Sequence, residues 1–239
     1  MLQRACLFAT MLSAMTMAAD ATGPAKGNQD MMFHGTKVNR VLFLGNSITN
    51  HGPNAKIGWN CHWGMAASAK EKDFVHLILQ AIAKVSEKQP ESIITNIATF
   101  ERKYETYDLD AGLKKEFVFK ADLVIIAIGE NVPNPATAEA KAALQTGVDK
   151  LFGKLKENGN PIIVVRSSFW ANAAKDAILE KACAKVGGIF VDNRALGKDE
   201  KNYARSERDF AHKGVAAHPG DQGMKAIADS ILKALQAHR

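Results

Sequence analysis

Short apolar runs alternate with amphipathic stretches along almost the whole chain, and this alternation constrains the fold more than any other feature. Strand-like runs fall at 40–44, 92–97, 123–128, 161–166 and 188–192, and helix-like stretches fall between and after them, at 66–85, 102–117, 136–156, 171–186 and 222–237. Continuous apolar runs such as Val41-Leu42-Phe43-Leu44 and Leu123-Val124-Ile125-Ile126-Ala127-Ile128 are what strands buried on both faces look like. Repeated βα units return each strand parallel to the last, so the pattern predicts a three-layer α/β/α sandwich around a roughly five-stranded parallel sheet. At 239 residues and 46% hydrophobic content the chain fills one core of this kind, and no Pro- or Ser-rich linker divides it.

The first 21 residues read as a secretory signal peptide. Met1-Leu2-Gln3-Arg4 is a short basic start, Ala5 to Met17 is apolar, and small residues from Thr16 to Ala21 offer cleavage sites. Residues 22–37 then form an N-terminal tail and 38–239 the folded domain. No later stretch approaches the roughly 20 apolar residues of a spanning helix, so the mature chain is expected off the membrane, secreted or periplasmic. The net charge of +6 is spread over lysines on helical faces rather than gathered into a basic stripe with interleaved aromatics, which argues against a nucleic-acid partner. No P-loop, G-x-G-x-x-G or fixed-period repeat is present, so no nucleotide cofactor is expected. Removing the leader leaves Cys61 and Cys183, which either pair in an oxidising compartment or, for Cys183, stay as a buried helical thiol.

The chemistry concentrates at three loop positions. The first strand ends abruptly in Gly45-Asn46-Ser47, which places a serine hydroxyl beyond the sheet edge, in the crevice where α/β proteins bind ligands. The 123–128 run leads directly into Gly129-Glu130-Asn131. Near the C-terminus, His218-Pro219-Gly220-Asp221 precedes the last helix.

These blocks, in this order, resemble the SGNH or GDSL-type hydrolases, whose pattern is a strand-terminal G-[DN]-S, a G-x-N after a middle strand and a D-x-x-H-P near the C-terminus. The resemblance spans most of the mature chain and implies a flavodoxin-like strand order. It implies Ser47 as nucleophile, His218 as general base and Asn131 as a side-chain oxyanion donor. Two positions depart from the pattern. Asn96-Ile97-Ala98 carries alanine where the family has glycine, and the Ala98 N–H remains available as a main-chain donor beside that of Ser47. Val215 occupies the place of the family's aspartate, which leaves two alternatives: a main-chain carbonyl near Val215 orients His218, or Asp209-Phe210-Ala211-His212 supplies a D-x-x-H pair of its own, with His212 in place of His218 but without the following proline and helix. Asp221 is expected to cap the final helix.

The loop after Ser47 carries Trp59 and Trp63, either a stacking platform for a sugar ring or anchors that pin the loop to the core. His51, Cys61 and His62 fit no standard zinc spacing, and no metal is expected. Glu130 points into the cleft or out to solvent, and Arg166 either meets an anionic or hydroxylated substrate or pairs with a carboxylate such as Asp192. The expectation is a secreted serine esterase without cofactor, acting on a small-molecule or glycan ester and most naturally on O-acetylated carbohydrate, with lipase and thioesterase within the same class. The alternatives are a non-catalytic carbohydrate-binding protein on the same scaffold and a flavin-binding protein of flavodoxin-like form.

Overall fold

The computed structural model describes residues 29–238, so the expected signal peptide lies outside the described residues. The described chain opens with a small antiparallel hairpin, β1 (Met32–Phe33) and β2 (Thr36–Lys37), inside the stretch expected to be a tail. Phe33 is buried in the main core, so packing begins before Val38.

Five strands follow: β3 (Arg40–Gly45), β4 (Glu91–Asn96), β5 (Leu123–Ala127), β6 (Ile162–Arg166) and β7 (Ile189–Val191). They form one sheet in the order β4-β3-β5-β6-β7, with every pairing parallel. The order reverses at β3, so β3 and β5 diverge from a topological switch point, and the crevice outside their carboxyl ends is the natural ligand site. Side chains alternate across the sheet as strand geometry requires. Val41, Phe43, Leu123, Ile125 and Val164 enter one apolar layer, whereas Leu42, Leu44, Val124, Ile126, Ile163 and Val165 enter the other.

The helices are α1 (Phe74–Ser86), α2 (Ala98–Lys103), α3 (Leu109–Gly112), α4 (Lys114–Val118), α5 (Ala138–Glu157), α6 (Ala173–Lys185), α7 (Lys213–Ala216) and α8 (Asp221–Ala237). On the first layer α1 and α8 contribute Phe74, Ile78, Ile82, Ile227, Ile231 and Leu235. On the second, α5 and α6 contribute Leu144, Val148, Leu151, Phe152 and Leu179. The observed α1 starts eight residues later than the pattern 66–85 predicts, because Asp73 caps it by accepting the His76 N–H at 2.8 Å. The stretch 102–117 is three short helices rather than one, since the Asp108 carboxylate takes the Asp110 and Ala111 N–H groups and starts a new turn there. Cys61 and Cys183 are both free thiols. Cys183 is buried on the α5–α6 layer, where burial pushes it up to about 11. Among the described residues no helix is long and apolar enough to cross a membrane.

Candidate active site

Ser47 is delivered by the end of β3. A Cβ at Gly45 would lie 1.9 Å from Thr49 Oγ1 and 2.9 Å from the Ala127 carbonyl, so only glycine lets the chain fold back across the strand end. Asn46 closes the turn: its carbonyl accepts the Thr49 and Asn50 N–H groups at 3.0 and 2.9 Å, and its Oδ1 accepts that of Ile48 at 3.1 Å. Ser47 is left half-buried at the rim, and its N–H makes no hydrogen bond among the described residues.

His218 reaches the same point from the loop between α7 and α8. Its backbone is fixed by His218 N–H to Val215 O at 3.0 Å and Ala204 N–H to His218 O at 2.9 Å. The ring Nε2 lies 2.8 Å from Ser47 Oγ, and Nδ1 lies 2.7 Å from the Gly214 carbonyl. A carbonyl can only accept, so Nδ1 carries the proton and Nε2 presents its lone pair to the hydroxyl. Of the two alternatives left open by the sequence, the main-chain carbonyl on His218 is the one in contact, and it is His218 rather than His212 that meets Ser47. Val215 packs among Trp59, Met65, Ala66 and Ala204, and His212 Nδ1 accepts the Val215 N–H to cap α7. Burial holds the His218 imidazole below its ordinary pKa, partly offset by the Gly214 hydrogen bond and the negative charge of Glu130. Trp170 stands edge-on to the His218 ring, with centroids 5.3 Å apart at 89°.

Asn131 follows β5 through Gly129, whose φ of +123° brings the turn where a side chain would strike Ser168 Oγ. The Asn131 amide is clamped on both sides, donating from Nδ2 to Glu101 Oε2 at 3.0 Å and accepting at Oδ1 from Arg102 Nη2 at 2.8 Å. The second amide hydrogen has no acceptor among the described residues, and Asn131 lines the cleft. Ala98 lines the same cleft, but its N–H already donates to Asn96 Oδ1 at 3.0 Å. Ser47, Ala98, Asn131 and His218 thus border one opening of about 310 Å³ at the carboxyl edge of the sheet.

Beneath it lies a buried polar network. Asn46 Nδ2 bridges two carboxylates, Glu130 Oε2 at 2.6 Å and Glu101 Oε1 at 3.3 Å. Glu130 Oε1 accepts from Arg166 Nη1 at 2.7 Å and from the Phe169 N–H at 2.8 Å, and Glu101 also accepts from the Gly129 and Asn131 N–H groups. Burial raises the Glu101 carboxyl, and the Glu130 charge raises it further. Burial alone would raise Glu130 too, but the Arg166 guanidinium, the Phe169 N–H and the Asn46 amide together outweigh it and hold that carboxyl low.

Four expectations are corrected here. Glu130 is neither solvated nor aimed into the cleft; it is the fully buried partner of Arg166. Arg166 therefore meets neither substrate nor Asp192, which pairs with Arg194 instead. Trp59 and Trp63 do not line the cleft. They stack edge to face at 5.9 Å, and their indole N–H groups donate to the His51 and Ala67 carbonyls, so they pin the loop. Asp221 does not cap α8: its carboxylate takes the Ser68 N–H, the Ser68 hydroxyl and Lys72, while Glu207 accepts the Asp221 and Gln222 N–H groups at 2.7 Å each. The Gly214 carbonyl, Arg102 and Trp170 are the neighbours the sequence did not single out. Of these only Trp170, an aromatic just past a strand end, carried a readable signal. Among the described residues no three His, Cys, Asp or Glu side chains gather closely enough to hold a metal ion.

No protein-family model matches the chain, and no curated protein matches it in sequence. Solved structures match in shape. One is a carbohydrate esterase whose active site displays divergent catalytic and non-catalytic binding functions, 14% identical with a TM-score of 0.55 over 85% of this chain and 70% of that one. A family two carbohydrate esterase from Cellvibrio japonicus is 17% identical with a TM-score of 0.43, over 82% of this chain and 60% of its own. A protein described as a GDSL-like lipase from Bacteroides uniformis is 12% identical with a TM-score of 0.49, over 81% and 93%. At such identities the likeness is one of fold. The chain shares its α/β fold with the first of these structures, and it has the five-stranded parallel sheet and flanking helices that the resemblance implied.

Proposed function

We propose that this chain is a serine esterase that cleaves carboxylic esters, with O-acetyl groups on carbohydrates as its substrates. The observation that carries the reading is Ser47 Oγ at 2.8 Å from His218 Nε2, at the mouth of a cleft outside the carboxyl ends of β3 and β5. The match in fold to a carbohydrate esterase supports the sugar ester, and the basic and apolar opening of the sequence supports export to where such esters occur.

His218 takes the Ser47 proton as the hydroxyl oxygen attacks the ester carbonyl, and the developing oxyanion faces the Ser47 N–H and the free hydrogen of Asn131 Nδ2. The Ala98 N–H joins them only when Asn96 Oδ1 releases it. Protonated His218 then returns the proton to the leaving alcohol oxygen, and water, activated by the same imidazole, releases the acyl group from Ser47. The Gly214 carbonyl selects the same tautomer as a carboxylate would, so geometry is preserved and only the negative charge is missing. Glu130 supplies part of that charge from below. The neutral orienter is also what favours a second reading, a carbohydrate-binding protein with weakened catalysis.

The test is turnover of p-nitrophenyl acetate and acetylated sugars by wild type and Ser47→Ala, together with labelling by a fluorophosphonate. Labelling and turnover that both vanish in Ser47→Ala are expected. A folded wild type that neither labels nor turns over any of these esters, yet binds the sugars, would leave the second reading in place.

A further inference from the structure

Among the described residues, the cleft that holds Ser47 is bordered by the Arg102 guanidinium and by no carboxylate. Arg102 lies on one side, and His51 and His212 also line the opening. Arg102 is exposed, and among the described residues it forms no ion pair; its one hydrogen bond is from Nη2 to Asn131 Oδ1 at 2.8 Å. This contrasts with Arg166, Arg194 and Arg205, each held by a carboxylate. The guanidinium is thus tied to the Asn131 amide at the border of the opening, while most of its donors have no partner among the described residues. The carboxylates beneath the cleft, Glu101 and Glu130, have buried side chains and already hold several backbone and side-chain donors.

We infer that Arg102 is a specificity determinant that selects esters carrying a carboxylate close to the acylated hydroxyl, as in an O-acetylated uronic acid. The inference rests on the esterase reading of the same site. A guanidinium offers paired, planar N–H groups that match a carboxylate, and it cannot lose its charge, so it suits a fixed anion better than a hydroxyl. Its tie to Asn131 sets the distance. An acyl oxygen held by Asn131 Nδ2 and an anion held by Arg102 lie on adjoining parts of one amide–guanidinium pair, the span of a single sugar ring rather than of several residues along a polymer. The acid group is therefore expected on the same ring as the ester.

The experiment compares an O-acetylated methyl galacturonoside with its neutral methyl ester, using wild type, Arg102→Gln and Arg102→Lys. Glutamine keeps a donor toward Asn131 and removes the charge. Any damage to Asn131 affects both substrates, so the ratio of their kcat/KM values isolates recognition of the carboxylate. Wild type is expected to prefer the free acid by about tenfold or more, chiefly through KM, in line with a charge-assisted contact. Arg102→Gln is expected to bring the ratio close to one, and Arg102→Lys to leave it between. Hydrolysis of both substrates at equal efficiency by wild type, or a ratio unchanged in Arg102→Gln, overturns the inference and leaves the esterase reading standing. Calorimetric binding of both compounds to Ser47→Ala separates the remaining case: Arg102-dependent binding of the acid without wild-type turnover would keep the anion site and sink the esterase.

Discussion

Asn46 stands where a carboxylate would be ruinous, and replacing it with aspartate tests the buried network directly. Its Nδ2 lies 2.6 Å from Glu130 Oε2 and 3.3 Å from Glu101 Oε1, so an aspartate oxygen in that place meets two carboxylates with nothing to donate. Two unit charges about 4 Å apart repel by about 4 kcal/mol at an effective dielectric of about 20. The cluster can escape by binding a proton. Keeping a carboxyl of ordinary pKa near 4 protonated at about pH 7.5 costs about 5 kcal/mol, at about 1.4 kcal/mol per unit, and this sets the ceiling. The lost amide donor sets the floor, at about 1–3 kcal/mol for buried acceptors left unpaired. Asn46→Asp is therefore expected to destabilise the fold by about 3–5 kcal/mol at about pH 7.5.

The pH dependence distinguishes charge from a lost hydrogen bond. Burial, and then the Glu130 charge, already hold Glu101 above the ordinary carboxyl range, and a third carboxylate raises the cluster further. A group raised in the folded state contributes its stability below its unfolded pKa and loses it as the pH climbs through the folded one. The Asn46→Asp deficit is thus expected to shrink toward about pH 4.5 and to grow toward about pH 8. Asn46→Ala, which removes the donor without adding charge, should show no such added slope relative to wild type. Urea unfolding of the three proteins at both pH values is the assay. Parallel pH dependence of the Asp and Ala variants, or an Asp variant as stable as wild type at the higher pH, would refute the reasoning.

Other outcomes follow from single contacts. Because burial holds the His218 imidazole below the ordinary value of about 6.5, kcat/KM should fall on acidification with a midpoint under that value; a pH–rate profile with its acid limb centred at or above it contradicts the assigned base. Trp59→Ala, at a residue 6% exposed, should destabilise by about 3–5 kcal/mol as a large core truncation. By contrast the more exposed Trp170, which packs on the His218 ring, should when changed to Ala lower kcat with little loss of melting temperature. Glu207→Ala removes the acceptor of two N–H groups at the start of α8 and should lower stability by about 1 kcal/mol in denaturant titrations, whereas Glu207→Gln, which keeps an acceptor, should lower it less.

What could be read from the chain follows the range of the physics involved. The five strands were legible because burial on both faces writes a continuous apolar run, and the sheet then has few ways to order itself. Ser47, Asn131 and His218 were legible because each sits where such a run or a helix stops, and local turn chemistry marks the stop. Partner choice between those loop tips was not legible. Ser47 and His218 are 171 positions apart, and Arg166, on a strand flanked by both β5 and β7, is held by Glu130 past the end of β5 rather than by Asp192 past the end of β7. The tryptophans show the same limit: periodicity cannot say whether an indole in a long loop faces a cleft or another indole, and here each ring N–H is taken by a backbone carbonyl of its own loop. The orienter of His218 lay beyond any side-chain pattern, since the acceptor is the carbonyl of Gly214 and every residue type carries one. What places it is the short α7, which brings residue 214 within 2.7 Å of the ring four positions later. A scaffold that supplies the acceptor from its backbone fixes the imidazole tautomer without an aspartate at 215, though without its charge. That position is free to hold valine, whose burial beside Trp59 and Met65 stabilises the very loop that carries the histidine.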